Sequence, residues 1–239
     1  MTAVPAPLLE AATRPYRRAG LFAYHFARGK LQGDPVFSKI LQLGLLSGRT
    51  RVLDLGCGQG LLSAVLRAAE HCSTTGTWPS SWAAAPRAVS TAGIELMLRD
   101  VERAHCALGA DSEIVQGDIR TAAFGRADAV VILDVLHYLP RATQQQILQR
   151  VRAALPDQGL LLLRVGDAAG GLRFRYTQWT DRVAMLARGH GWVDLHCRPL
   201  TEWRQLLGDC GFDSTVLPMS QGTPFANVLI VARARQGAG

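Results

Sequence analysis

From residue 50 onward, short apolar runs alternate with stretches of helical period. The runs lie at 50–55, 93–96, 113–115, 129–134 and 160–165 and are rich in Val, Ile and Leu. Several are apolar on consecutive residues, as strands covered on both faces of a parallel sheet are. Helix-like segments follow near 60–70, 97–108 and 141–155. In the last, Ile147, Val151 and Leu155 recur at four-residue spacing behind the polar 143–146. This alternation predicts βα units and an α/β fold. After Thr201 the pattern changes to a helix reaching about Cys210, a stop at Gly211, and two strand-like runs at 214–217 and 227–232. The turn-rich 221–224 lies between the runs, which predicts a closing antiparallel hairpin.

Two helices are expected before the sheet. Pro15 can open one that carries Leu21, Phe22, Tyr24, His25 and Phe26. Asp34 as N-cap and Pro35 as first residue open the other, with Phe37, Ile40 and Leu41 inward. These form an expected helical cap over one sheet edge. The boundaries are 1–48 for the cap and 49–239 for the main domain, the two making one compact unit.

Composition narrows the class. A chain of 239 residues, 48% of them apolar, can bury a full core and fits one domain better than two. No apolar run approaches the roughly 18 residues that span a bilayer, and the N-terminus lacks the basic start and apolar stretch of a secretory signal, so a cytoplasmic protein is expected. The five cysteines form no Cys-x-x-Cys pair and are odd in number, which suggests neither a zinc site nor a disulfide framework. The net charge of +7 comes almost wholly from arginine, since only Lys30 and Lys39 are lysines. The arginines are scattered rather than clustered, and nucleic-acid binding is not expected.

The candidate chemistry begins at 52–60, where a buried strand ends in Asp54, Leu55, Gly56, Cys57, Gly58, Gln59 and Gly60 before a helix. Glycine at alternate positions lets backbone approach a ligand, and the following helix start favours an anionic group. Dinucleotide folds place Gly-x-Gly-x-x-Gly here, whereas this spacing is Gly-x-Gly-x-Gly with an acid two residues before the first glycine. That acid can hold an ammonium group, directly or through water, and a dinucleotide offers none. An amino-acid-bearing cofactor fits better than NAD.

At this point the sequence resembles the class I S-adenosylmethionine-dependent methyltransferases. The resemblance covers roughly 50–237 and implies a Rossmann-like seven-stranded sheet with helices on both faces. It implies S-adenosylmethionine as cofactor, held by Asp54, Gly56, Cys57, Gly58 and Gly60. Glu95, at the end of the second strand, would bond the ribose hydroxyls, with Leu96 beside it. Asp118 would meet the adenine amino group while Ile119 packs on the ring. Asp134, in the 134–140 segment, would stand beside the methionine part and the substrate. There is one departure. Glu95 follows Gly60 by 35 residues, about 15 more than dinucleotide folds suggest. The excess falls at 71–87 and carries Trp78 and Trp82, either as a substrate- or partner-facing loop or as a tolerated surface excursion.

Methyl transfer needs alignment above all, and well-oriented reactants gain on the order of 7 to 11 kcal/mol from it. If a base is used, His137 just past the fourth strand is the candidate, with Tyr138 shaping the pocket. Residues 167–200, rich in arginine and aromatics, are expected to form much of the acceptor wall, a pattern that the aromatic stripe of a docking helix would share. Neither Asn-Pro-Pro-Tyr nor Asp-Pro-Pro-Tyr follows the fourth strand, which leaves small-molecule methylation as the leading class. The stretch 16–31 and Gly33–Phe37 also resemble methyltransferases of bacterial aryl polyene pigment clusters. That likeness implies an aromatic or polyene acyl acceptor carried on acyl carrier protein, which the basic cap would suit. The rival readings are an RNA or protein methyltransferase, a cofactor-binding scaffold without transferase activity and, more remotely, a dinucleotide oxidoreductase.

Overall fold

The computed structural model of the chain describes residues 4–110, 112–166, 195–219 and 227–237. Its strands are β1 (Arg51–Leu55), β2 (Ser90–Glu95), β3 (Glu113–Gln116), β4 (Ala129–Leu133), β5 (Leu160–Gly166), β6 (Phe212–Pro218) and β7 (Asn227–Ala234). They fall in the order β3-β2-β1-β4-β5-β7-β6, the mixed seven-stranded sheet expected of the fold. The backbone divides into two compact units, Met1–Ala123 and Phe124–Gly239.

In the first unit β1, β2 and β3 run parallel, with Asp54 opposite Gly93 and Glu95 opposite Gln116. Val52, Leu53, Asp54 and Leu55 are all buried, the two-sided burial that consecutive apolar residues predicted. Helix α4 (Leu61–Thr74) leaves the end of β1 through Gly60 and buries Leu61, Leu62, Val65, Leu66, Ala69 and Cys72. Helix α5 (Leu98–Leu108) follows β2.

The cap holds more pieces than two helices. A helix α1 (Ala6–Thr13) comes first, then a 3-10 turn (Arg14–Ala19), α2 (Leu21–Gly33) and α3 (Pro35–Gln42). Pro15 ends the helix before it as much as it opens the turn after it, because its ring disfavours a helical residue ahead of it and it brings no N–H. Gly20, at φ 99°, then breaks the chain before α2. The inward face of α2 is Ala23, Ala27 and Leu31, four residues apart, while Leu21 and Phe22 face outward. At α3 the expected cap forms, with Asp34 accepting from the Val36 amide at 3.1 Å and Phe37, Ile40 and Leu41 buried.

The long 71–87 segment is tied down. Helix α4 absorbs its start, and the Trp78 and Trp82 rings meet edge to face at 5.4 Å. The Trp78 indole donates to the Ala83 carbonyl at 3.0 Å, and the Ala83 amide donates to Gln42 at 3.1 Å. Arg87 donates to Ser73 at 3.0 Å, and Glu70 accepts from the Ala88 amide at 2.9 Å. The two indoles find partners within the excursion itself.

In the second unit β4 and β5 are parallel, with Leu133 opposite Arg164, and β7 pairs antiparallel with both β5 and β6. This is the closing antiparallel pair; its expected turn at 221–224 lies outside the described residues. Helix α6 (Arg141–Ala154) buries Gln144, Ile147, Leu148 and Val151, and α7 (Leu200–Asp209) buries Trp203, Leu206 and Leu207 against β6. Most of the expected acceptor wall, 167–194, also lies outside the described residues. Among the described residues no helix is long and apolar enough to cross a membrane, and no cluster of His, Cys, Asp and Glu could hold a metal.

Candidate functional site

The turn after β1 is built from three glycines in left-handed backbone, Gly56 (φ 76°), Gly58 (φ 55°) and Gly60 (φ 78°). Such angles strain any residue with a Cβ. The glycines also differ in surroundings. A Cβ on Gly60 would stand 2.8 Å from Ile114 and from Leu108, so that glycine lets α4 close onto α5 and β3. At Gly58 nothing lies within 4 Å of where a Cβ would be, so the turn is open to approach there. Cys57 points inward instead: a Cβ on Gly93 would be 2.7 Å from its sulfur, and burial raises its thiol well above the ordinary range. It acts as packing.

Two carboxylates frame this turn. Glu95 is buried, accepting from the Gly58 amide at 2.8 Å through one oxygen and from the Met97 amide at 2.9 Å through the other. Asp54 is buried at the end of β1, and no ion-pair partner reaches it among the described residues. Burial, and then the nearby Glu95 charge, push its carboxyl up to about 7. A buried acid beside a second acid is an electrostatic well for a cation. Leu96 is 53% exposed immediately after Glu95, an apolar surface able to cover a flat ring.

The loop after β3 brings its residues to the same end of β2, since the Gly117 amide donates to the Glu95 carbonyl at 2.9 Å. Asp118 there accepts from the Arg120 amide at 2.9 Å and from the Arg120 guanidinium Nε at 2.7 Å. The Arg120 side chain holds its carboxyl below the usual range. Ile119 is buried beside it. The first unit therefore collects Asp54, the glycines, Glu95, Leu96, Asp118 and Ile119 along the ends of β1, β2 and β3.

Sequence reasoning passed over two residues here. The Tyr16 hydroxyl donates to the Gln59 carbonyl at 2.8 Å, and the Gln59 side chain donates to the Ala23 carbonyl at 2.9 Å, both buried. An aromatic in a cap helix and a glutamine between glycines carry no signal of partnership in the sequence.

The remaining expected residues lie in the second unit. Asp134 follows β4 in left-handed backbone (φ 58°), a region that aspartate tolerates better than most residues. Its carboxylate is gripped at both oxygens by Arg164, through Nε at 2.8 Å and through Nη2. Arg164 is 2% exposed, and sequence reasoning missed it as well; the signal was one charge inside the apolar run 160–165. His137 sits in the one-turn 3-10 helix Leu136–Tyr138, buried, its ring 4.1 Å from that of Tyr138. Burial, with Arg164 adding to it and Asp134 opposing, pushes the imidazole down to about 4, so it is neutral at physiological pH. A knot at Gln144 fixes this segment. The two N–H groups of its amide are shared among the carbonyls of Leu136, Leu139 and His196, at 3.1, 2.9 and 2.8 Å from the nitrogen, and its oxygen accepts from Arg198 at 2.7 Å.

A family model described as a methyltransferase domain matches residues 22–216. A curated relative, the carboxy-S-adenosyl-L-methionine synthase of Chromohalobacter salexigens, is 31% identical over 140 residues, covering 54% of this chain and 47% of that protein. The chain thus spans about half the length of that relative. Human N-acetylserotonin methyltransferase, solved in complex with S-adenosylmethionine, is similar in structure at a TM-score of 0.59 and 18% identity, over 98% of this chain and 61% of that one. The magnesium protoporphyrin IX methyltransferase of Synechocystis, solved with bound S-adenosylhomocysteine, gives 0.58 at 19% identity, over 92% of this chain and 93% of that one. At these identities the likeness is one of fold.

Proposed function

The chain belongs to the methyltransferase-domain family, and from that premise we propose that it transfers the methyl group of S-adenosylmethionine to a small-molecule acceptor. The observation that carries this reading is the buried Asp54, without a cation among the described residues, next to a glycine turn whose Gly58 amide is anchored on Glu95. These residues fit the cofactor. Asp54 offers the negative charge for its ammonium, Gly58 the open backbone, Glu95 the acceptor oxygens for ribose, and Leu96, Ile119 and Asp118 the walls and acceptor for adenine. Bound there, the sulfonium supplies an electrophilic methyl. The chain's own part is to bind, align and exclude water, which is where most of the rate for such a displacement arises.

His137 and Tyr138 are the proposed acceptor-side residues. An imidazole held near 4 is always ready to accept a hydrogen bond and keeps a proton only weakly. That suits an acceptor which needs orientation more than deprotonation. The likeness to methyltransferases of aryl polyene clusters points to an aromatic or polyene acyl acceptor on acyl carrier protein, and exposed Arg14 and Arg18 on the cap suit an acidic carrier. The 31% identity to a carboxy-S-adenosyl-L-methionine synthase supports the choice of cofactor.

Incubating the protein with methyl-labelled S-adenosylmethionine and a metabolite extract from the source organism, followed by mass spectrometry, tests the reading. A low-molecular-weight product that gains one methyl group is expected. Label in RNA or protein instead, or cofactor binding with no labelled product in any fraction, would overturn it.

A further inference from the structure

We propose that the N-terminal cap is part of the cofactor site, with Tyr16 and Gln59 as positioning residues that hold the glycine turn in its binding shape. The proposal deepens the cofactor reading given above and rests on it. Gln59 is the residue between two glycines in opposite surroundings: Gly58, with open space, and Gly60, packed on Ile114 and Leu108. It is held from three directions. Its carbonyl accepts from the Tyr16 hydroxyl at 2.8 Å, its side chain donates to the Ala23 carbonyl of α2 at 2.9 Å, and the amide just before it, that of Gly58, donates to Glu95 at 2.8 Å.

Glycine loses more conformational freedom on ordering than any other residue, so a turn with three of them needs fixing from outside. Glu95 fixes one side and the cap fixes the other. Tyr16 is fully buried, and burial raises its phenol above the ordinary range, so it stays a donor at neutral pH. The coupling runs both ways: whatever orders the turn steadies α2, and loosening α2 frees the turn.

The test removes single atoms. Tyr16→Phe keeps the ring and deletes the hydroxyl, leaving the buried Gln59 carbonyl short of a partner. Thr13→Val is the control, because the Thr13 hydroxyl is also buried in the cap but bonds the Leu9 carbonyl within its own helix at 2.8 Å. Hydrogen exchange at the 58–60 amides is measured without any ligand, and S-adenosylhomocysteine affinity by calorimetry. We expect Tyr16→Phe to speed turn exchange and weaken binding by roughly 10-fold, on the scale of one unsatisfied buried acceptor. Thr13→Val should leave both within about twofold, as a bond that never reaches the turn should. Equal effects from the two variants, or none from Tyr16→Phe, would overturn the proposal.

If Tyr16→Phe does not fold, the wild type decides by the reverse coupling. S-adenosylhomocysteine must then slow exchange in α2 together with the turn, and an unaffected α2 overturns the idea. If the wild-type protein does not bind S-adenosylhomocysteine, the cofactor reading fails, while the ligand-free exchange comparison still judges the strut.

Discussion

Asp54 and Asp134 are both aspartates at the C-terminal ends of parallel strands, and the protein treats them in opposite ways. Asp134 already holds a cation: the buried Arg164 guanidinium grips both of its oxygens. Asp54 holds none among the described residues, and its nearest charged neighbour of consequence is another acid, Glu95. A buried acid without a partner costs stability and is tolerated where a ligand will neutralise it. In the first unit the carboxylate therefore has an acid and no cation beside it among the described residues, whereas in the second it is paired with a guanidinium. Motif position alone makes these two residues look alike, and their surroundings differ.

The largest expected effect breaks the first half of that comparison. Asp54→Ala or Glu95→Ala should remove cofactor binding detectable by calorimetry, a loss on the order of 4 kcal/mol for stripping one partner from a buried charge interaction. The fold should persist by circular dichroism, and unchanged affinity in both variants would sink the site assignment. The next effect breaks the second half. Arg164→Met leaves the Asp134 carboxylate uncompensated and should cost about 2–3 kcal/mol of unfolding free energy in urea, below the usual range for a fully buried pair because Asp134 is part-exposed. Asp54→Asn, which discards a strained charge, should instead hold or raise stability at pH 8. A loss in both variants would mean that the two acids do the same work.

The pH dependences should have opposite signs. Asp54 binds its proton more tightly in the folded protein (about 7) than in the unfolded chain (about 3.9), so its contribution to stability falls as pH rises from about 4 to 7. His137 binds its proton less tightly when folded (about 4) than when unfolded (about 6.5), so its contribution is lost as pH falls across nearly the same window. In urea titrations from pH 4 to 7, Asp54→Asn should make stability climb with pH more steeply than in the wild type, and His137→Asn less steeply. An ammonium at Asp54 must also displace its proton below pH 7. Affinity for S-adenosylhomocysteine should therefore rise by about fivefold between pH 6 and 7 and flatten above, with proton release seen by calorimetry in buffers of different ionisation heat. A flat profile would show that Asp54 is ionised before the cofactor arrives.

How much of this was legible in the sequence follows the range of the interactions. Consecutive apolar residues in β1, β4 and β5, the glycines and Glu95 are local signals, and the strands and the turn stand where those signals put them. Asp34 and Pro35 located α3 to the residue, because a cap is a contact between near neighbours. Helix α1 was hidden because its eight residues are bounded by prolines that read more readily as a coil. The Arg164 grip and the Tyr16–Gln59 contact join residues 30 and 43 positions apart, so no window along the chain contains them. His137 was legible as a residue near the site, but its neutral state depends on burial, which only the packed structure supplies.

Arg120 gives the smallest and most discriminating test, because Asp118 lies between the two extremes. It has a guanidinium partner, as Asp134 does, but both members are substantially solvent-accessible, the Arg120 side chain at 56%. Exposed pairs contribute about 0–1 kcal/mol. The guanidinium and the Arg120 amide together orient the carboxylate, and a carboxylate has lone pairs enough to accept a further donor from adenine while they stay in place. If that orientation is what Arg120 supplies, Arg120→Ala should weaken S-adenosylhomocysteine binding by roughly three- to fivefold, within the exposed-pair range. The melting temperature should barely move, and Arg120→Lys should restore part of the affinity. If the guanidinium instead competes with adenine for Asp118, the alanine variant will bind more tightly than the wild type. The sign of this small change therefore tells whether Asp118 resembles Asp54, an acid without a cation beside it among the described residues, or Asp134, an acid paired with a guanidinium.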